Sequence, residues 1–145
     1  MHDLSSIIGE EIEASRDFLS LLKAEESALA GGDIERLPEI VRTKSAHLQR
    51  IAILAQERSR LVPQSEMKTW LDNHPDVRGS WQDLMVLAEA IRQTNETNGK
   101  MIDVRLRGTQ QALDVLQSLT SSATRLYGPD GQSSVTAGGH SIESA

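Results

Sequence analysis

The chain has 145 residues and a formal net charge of −6, and its calculated pI is about 5.2. This length suits one domain, and an acidic surface repels phosphate backbones, so nucleic acid is not an expected partner. Cysteine is absent, which excludes disulfides and thiolate metal sites. No apolar run approaches the ~20 residues of a membrane span, and the N-terminus lacks the basic start of a signal peptide. We therefore expect a cytoplasmic protein without membrane insertion.

The first half of the chain predicts two long helices. Apolar residues recur at helical spacing over residues 4–30 on two adjacent seams, which indicates a helix that contacts two neighbours. Gly31-Gly32 is expected to end this helix, and Asp33 is a candidate N-cap for the next one. The second helix should begin its regular part at Pro38 and stop before Pro63. The two helices are therefore predicted to form an antiparallel hairpin.

The second half predicts a short amphipathic helix and then one very long helix. The short helix covers roughly residues 65–72, a turn follows at 73–75, and the long helix starts near Ser80 and ends at Tyr127. The predicted fold is all-α: an antiparallel helical hairpin, a short helix and one very long C-terminal helix in a coiled-coil-like three-helix bundle. Residues 1–127 form a single helical domain in this prediction, and the Gly/Ser-rich residues 128–145 form a flexible C-terminal tail.

Residues with catalytic or metal-binding potential are scattered. The histidines lack any spacing suited to a metal, and no glycine pair follows a strand as a phosphate loop requires. The glutamate pairs Glu10-Glu11 and Glu25-Glu26 point in diverging directions on a helix, so we expect both pairs on solvated faces. No enzyme, cofactor or metal is predicted. The four histidines are His2, His47, His74 and His140.

The last part of the long helix is the candidate binding site. At 1.5 Å per residue the first helix spans about 40 Å and the last about 70 Å, so roughly its final 10–20 residues should extend beyond the hairpin. Their apolar side chains cover about 160° of the helix surface. An exposed stripe of this kind usually marks an interaction site. The predicted partner-binding residues are Ala112, Leu113, Val115, Leu116, Leu119 and Ala123.

Four polar residues interrupt the heptad frame of the long helix: Asn95, Asn98, Arg105 and Thr109. Polar residues in a packed seam cost stability but fix the register and orientation of the helices. One interpretation is a polar layer that sets helix alignment. The other is a hinge or a polar contact with a partner.

Three segments within and just after the long helix resemble a known family: NETNGKMI (95–102), QQALDVL (110–116) and LYGPDGQ (126–132). In this order and spacing they are similar to flagellar export chaperones of the FlgN type. The resemblance implies a cytosolic type III export chaperone whose clients are hook-associated (hook–filament junction) proteins of the FlgK and FlgL type. It would bind their C-terminal helical segments through the end of its last helix, prevent premature assembly and deliver them to the export gate.

The resemblance also implies a role for Tyr127, the only tyrosine in the chain. It matches a residue implicated in docking to the cytosolic domain of the export gate; the alternative is that its ring only caps the end of the bundle. Two other functions stay open. One is a homodimeric coiled-coil structural protein, and the other is an adaptor of another secretion system. A client-free chaperone can also form a homodimer, because a second copy can fill its empty groove.

Overall fold

The structure is a computed structural model that describes the backbone of residues 3–127 and the side chains of residues 3–122. The described residues form four α-helices and contain no strand. Two short 3₁₀ turns, Ile34–Arg36 and Gln64–Glu66, precede the second and third helices. The all-α prediction is confirmed. The helices are α1, Leu4–Gly31; α2, Leu37–Leu61; α3, Met67–Asp72; and α4, Pro75–Tyr127.

Helix α1 begins and ends with local signals that satisfy its backbone. The Asp3 carboxylate accepts a hydrogen bond from the backbone N–H of Ser6 at 2.8 Å, which pairs one of the free donors of the first turn. At the other end Gly32 adopts φ 73°, in the left-handed region. Glycine reaches that conformation without steric cost, so the helix stops there as predicted.

Helices α1 and α2 form the predicted antiparallel hairpin. Three ion pairs join them in reversed order along the chain, as an antiparallel arrangement requires: Glu11–Arg58 at 2.8 Å, Asp17–Arg50 at 3.3 Å and Glu25–Lys44 at 3.2 Å. His47 stacks on the buried ring of Phe18 with 6.2 Å between ring centroids. His47 is therefore a packing residue, as its position beside the apolar face of α2 indicates.

The helix starts differ from the prediction in two places. Asp33 precedes a 3₁₀ turn and makes no capping hydrogen bond with its side chain, so it is not the N-cap of α2. Helix α4 begins at Pro75, about one turn before the expected start near Ser80. Proline suits the first position of a helix, where its missing N–H would have had no partner in any case.

Chain contacts divide the protein into a first unit, Met1–Ile102, and a second unit that starts at Asp103. The first unit holds the core, in which residues of α1, α3 and α4 meet Val62, the residue directly after α2. Leu4 and Ile8 of α1 share this core with Val77 and Leu84 of α4. Further along both helices, Asn98 of α4 donates to the Leu22 carbonyl of α1, so the two helices run in the same direction. The complete buried cluster is Leu4, Ile8, Ile12, Val62, Met67, Leu71, Val77 and Leu84.

The second unit, in its described part, is the continuation of α4 from Asp103. Arg105 is half-buried, and every described side chain from Leu106 to Ser122 is exposed. The predicted tail, residues 128–145, lies outside the described residues, and the single-domain boundary at 127 stays a prediction.

Candidate partner-binding site

Leucines and a valine are exposed along the C-terminal half of α4. The exposed fraction is 48% for Leu113, 58% for Val115, 59% for Leu116 and 62% for Leu119, and Ala112 beside them is exposed as well. We call these five residues the apolar stripe. They occupy an arc of about 160° at 100° per residue. Ala123 continues the predicted stripe, and Tyr127 is the last residue of α4 as expected, but both side chains lie outside the described ones.

The surroundings of the apolar stripe carry almost no charge. Asp114 is the only ionisable residue from Thr109 to Ser122, and its carboxylate accepts a hydrogen bond from Gln110 at 3.0 Å on another face of the helix. Glutamine, serine and threonine occupy most of the other positions. An apolar strip with neutral polar flanks is able to bind apolar helix faces, and it offers no group for acid–base chemistry.

One polar layer joins three helices within the first unit. The amide nitrogen of Asn98 donates to the Leu22 carbonyl at 2.9 Å and to a carboxylate oxygen of Glu25 at 2.8 Å. The Lys44 ammonium of α2 donates to both oxygens of the same carboxylate at 3.2 and 3.3 Å. Asn98 is 0% exposed and Glu25 is 1% exposed, so the layer lies inside the core.

The same layer leaves one buried polar atom unsatisfied. Among the described residues the carbonyl oxygen of Asn98 has no hydrogen-bond partner. An unmade hydrogen bond of this kind costs about 1–3 kcal/mol. A leucine at this position would avoid that cost, but it would also remove the donor that the buried Glu25 carboxylate accepts from. A residue that fixes helix register often carries a cost in stability, so this unsatisfied oxygen is consistent with such a role for Asn98. The role itself stays a prediction.

The other predicted polar-layer residues lie elsewhere, and Thr109 is exposed. Asn95 is exposed, and its neighbour Thr94 is buried at 8% exposure in its place. Placing Asn95 in the packed seam was therefore wrong. The seam of buried and half-buried residues runs through Leu84, Leu87, Ile91, Thr94 and Asn98. Arg105 is half-buried in the second unit.

The expectation that both glutamate pairs are solvated is wrong for one member of each. Glu11 is 4% exposed and Glu25 is 1% exposed. The Arg58 guanidinium bonds Glu11 through Nε at 2.8 Å, bonds Gln64 through Nη1 at 3.2 Å, and lies 5.0 Å from the ring centroid of Trp81. Arg58 thereby connects α1, the segment after α2, and α4.

The spacing of the α1 seam contains the signal for these buried acids. The seam of Leu4, Ile7, Ala14, Phe18, Leu21 and Ala28 has gaps at positions 11 and 25. Helical periodicity puts those gaps on the packed side, and the two glutamates fill them. Acidic residues at seam positions with basic residues on the antiparallel neighbour indicate buried ion pairs.

Burial raises the pKa of Glu11 above its ordinary value, and the hydrogen bond and charge of Arg58 offset only part of that rise. Folded Glu11 therefore holds a proton more tightly than unfolded Glu11. Its contribution to stability is complete below the ordinary pKa and is lost as the pH rises through the folded pKa. Glu11→Gln removes this pH dependence. We expect the free energy of unfolding of the variant, minus that of the wild type, to increase between about pH 4 and pH 7.

Urea denaturation followed by circular dichroism, repeated across that pH range, measures the difference. Glu13→Gln is the matched control, because Glu13 is exposed on the same helix, and it should change the free energy of unfolding by no more than about 0.5 kcal/mol. A Glu11→Gln difference that decreases with rising pH would mean that the Arg58 interaction outweighs desolvation.

Within the described residues, no group of three or more metal-ligating side chains is placed to hold an ion. In the same part of the chain, none of the helices combines the length and apolar character of a membrane span. The candidate site is the apolar stripe, whose exposed side chains are suited to helix packing.

A family model described as FlgN protein matches residues 1–134 of this chain. The chain belongs to the FlgN family. Relatives named flagella synthesis protein FlgN include that of Yersinia enterocolitica, 29% identical over 130 residues that cover 88% of this chain and 87% of the relative. The Salmonella typhimurium and Escherichia coli relatives are each 29% identical over 138 residues, 94% of both chains. No solved structure matches this FlgN-family chain. The resemblance to the FlgN family that three sequence segments indicated is confirmed.

Proposed function

We propose that this protein acts in flagellum synthesis as a cytoplasmic type III export chaperone. In this proposal it binds the C-terminal helical segments of hook-associated proteins of the FlgK and FlgL type and prevents their premature assembly. It then delivers them to the cytosolic domain of the export gate, where Tyr127 docks. Membership of the FlgN family, whose relatives described above are named for flagella synthesis, supports the general role.

The observation that carries the binding step is the exposed apolar stripe. Leu113, Val115, Leu116 and Leu119 are each about half exposed or more, and covering each of them would contribute roughly 1–2 kcal/mol of the apolar burial term. An amphipathic client helix is the complementary surface, because its apolar side would otherwise associate with other subunits. Binding of this kind needs no ATP and no catalytic residue.

Calorimetric titration with C-terminal peptides of the hook-associated proteins from the same organism tests the proposal. We expect one-to-one binding with a sub-micromolar Kd. Leu116→Asp removes the central leucine and puts a carboxylate in the buried interface, so the Kd should increase at least thirtyfold, which corresponds to about 2 kcal/mol.

Ser118→Asp is the matched control, because it introduces the same charge two residues away on the opposite side of α4. It should leave the Kd within about threefold of the wild type. Both residues are exposed, so neither change should alter unfolding of the bundle. Absence of binding to every peptide by the folded wild-type protein would contradict the chaperone proposal.

Light scattering on the same samples separates the chaperone from the homodimer. A chaperone whose empty stripe self-associates becomes a one-to-one complex when peptide is added. A coiled-coil homodimer that persists at saturating peptide would mean that the stripe serves self-association.

A further inference from the structure

The apolar stripe differs from the part of the same helix that packs inside the first unit. Because 18 residues make about five helical turns, positions 18 apart share a helical phase. Leu116 therefore corresponds to Asn98, and Ala112 corresponds to Thr94; both earlier residues are buried against the hairpin. The centre of the apolar stripe is thus the counterpart of a face that already packs against helices of this chain.

The edges of the stripe have no such counterpart in the packed part. Leu113 corresponds in phase to Asn95, and Val115 corresponds to Thr97. Asn95 and Thr97 are polar and exposed, so the hairpin leaves both edges of α4 to solvent there. From Thr94 to Arg105 the buried and half-buried side chains of α4 span an arc of about 100°, which is the width that an ordinary core-facing helix face needs.

In the stripe, both edges are apolar and the arc widens to about 160°. Leu113 is 48% exposed and Val115 is 58% exposed, so each edge also presents free apolar surface. One helix packed on the central Leu116 would cover the centre and at most one edge, since a single helical neighbour buries the narrower seam. Covering Leu113 and Val115 together requires helices on both sides of Leu116.

We propose that the apolar stripe takes two helices supplied by one client chain, which pack on either side of Leu116 and complete a three-helix arrangement with α4. This inference rests on the proposed chaperone function and specifies its client as a helix pair with apolar inner faces. Neutral flanks from Thr109 to Ser122, interrupted only by Asp114, match partners that are recognised by apolar packing.

The test uses the full chain and two probes from the FlgK-type protein of the same organism. One probe is a C-terminal peptide that contains a single predicted helix, and the other is a longer fragment that contains two. We expect the two-helix fragment to bind one-to-one and at least tenfold more tightly than the single-helix peptide, as measured by calorimetry.

Edge variants then test whether both sides are used. Leu113→Gln and Val115→Gln should each weaken binding of the two-helix fragment at least fivefold, whereas Ser118→Gln on the opposite side should leave it unchanged. Circular dichroism verifies that the variants remain folded; their side chains are exposed, so unfolding should not change.

Three results would overturn the helix pair while leaving the chaperone function intact. They are sensitivity at only one edge, equal affinity for both probes, or binding of two single-helix peptides per chain. Failure of both probes to bind would instead contradict the proposed function itself.

Discussion

Asn98→Asp should destabilise the protein by about 3–5 kcal/mol at neutral pH. The substitution replaces a donor with an acceptor 2.8 Å from the Glu25 carboxylate and 2.9 Å from the Leu22 carbonyl. Lys44 would then be the neighbouring cation for two carboxylates in a layer where Asn98 is 0% exposed. Two like charges at this distance cannot both stay ionised without cost. Urea denaturation followed by circular dichroism gives the loss.

Two further variants assign the loss to this layer. Asn95→Asp makes the same substitution three residues earlier at an exposed site, and it should change stability by no more than about 0.5 kcal/mol. Glu25→Gln added to Asn98→Asp restores one donor and leaves one carboxylate for Lys44, so at least half of the loss should be recovered. A loss that Glu25→Gln does not reduce would mean that the cost comes from the Leu22 carbonyl alone.

Arg58→Met should cost about 2–4 kcal/mol at neutral pH, because it leaves the Glu11 carboxylate buried without its cation. Methionine keeps much of the apolar stem of the side chain, so the variant tests the charged head more than the packing. The head also bonds Gln64 at 3.2 Å and contacts Trp81. Those contacts hold the segment after α2 and the first turns of α4, and they are lost with it.

The loss of stability caused by Arg58→Met should decrease at acidic pH. Arg58 lowers the pKa of Glu11 and burial raises it, so removing Arg58 leaves the raising effect alone. A protonated Glu11 no longer needs a cation, and the folded variant therefore regains stability as the pH falls. Denaturation at about pH 5 and pH 7 measures the gap to the wild type. Arg60→Met, at an exposed position of the same helix, is the control. A gap that stays constant with pH would exclude Glu11 as its source.

Local sequence signals predicted most of the fold. Gly31-Gly32 and Pro63 mark the ends of the hairpin helices, and the structure ends α1 at Gly31 and α2 at Leu61. Long unbroken periodicity predicted α4 up to Tyr127. These features depend on backbone conformations that single residues permit or forbid, so they are readable without knowledge of tertiary contacts.

Local sequence patterns did not predict where α4 starts or that Glu11 and Glu25 are buried. Asn73-His74-Pro75 is typical of a turn, yet proline also begins helices, and only the packing of Val77 in the core decides between them. Glutamate is usually a solvated residue, yet Glu11 and Glu25 occupy positions on the packed side of α1 and are buried. Their burial depends on Arg58 and Lys44 of the neighbouring helix, and a single-helix pattern does not show this pairing.

The heptad frame of α4 was also ambiguous in the sequence. Asn95 and Thr94 are both small polar residues beside Ile91, so spacing of three or four residues fits the sequence equally well. The buried Thr94 and the exposed Asn95 show that the spacing is three at this point. The apolar stripe was easier to identify, because leucines at positions 113, 116 and 119 stand out from neutral polar neighbours.

Both tryptophans of the chain lie in the first unit. Trp81 lies beneath the Arg58 guanidinium, and Trp70 stacks on His74 at 3.9 Å between ring centroids. Their fluorescence emission is therefore an intrinsic probe of α3 and the first turns of α4. The apolar stripe from Ala112 to Leu119 contains no aromatic residue. A tryptophan-free client would leave the stripe without an intrinsic reporter, so an extrinsic dye on the client would be the natural signal for its occupancy.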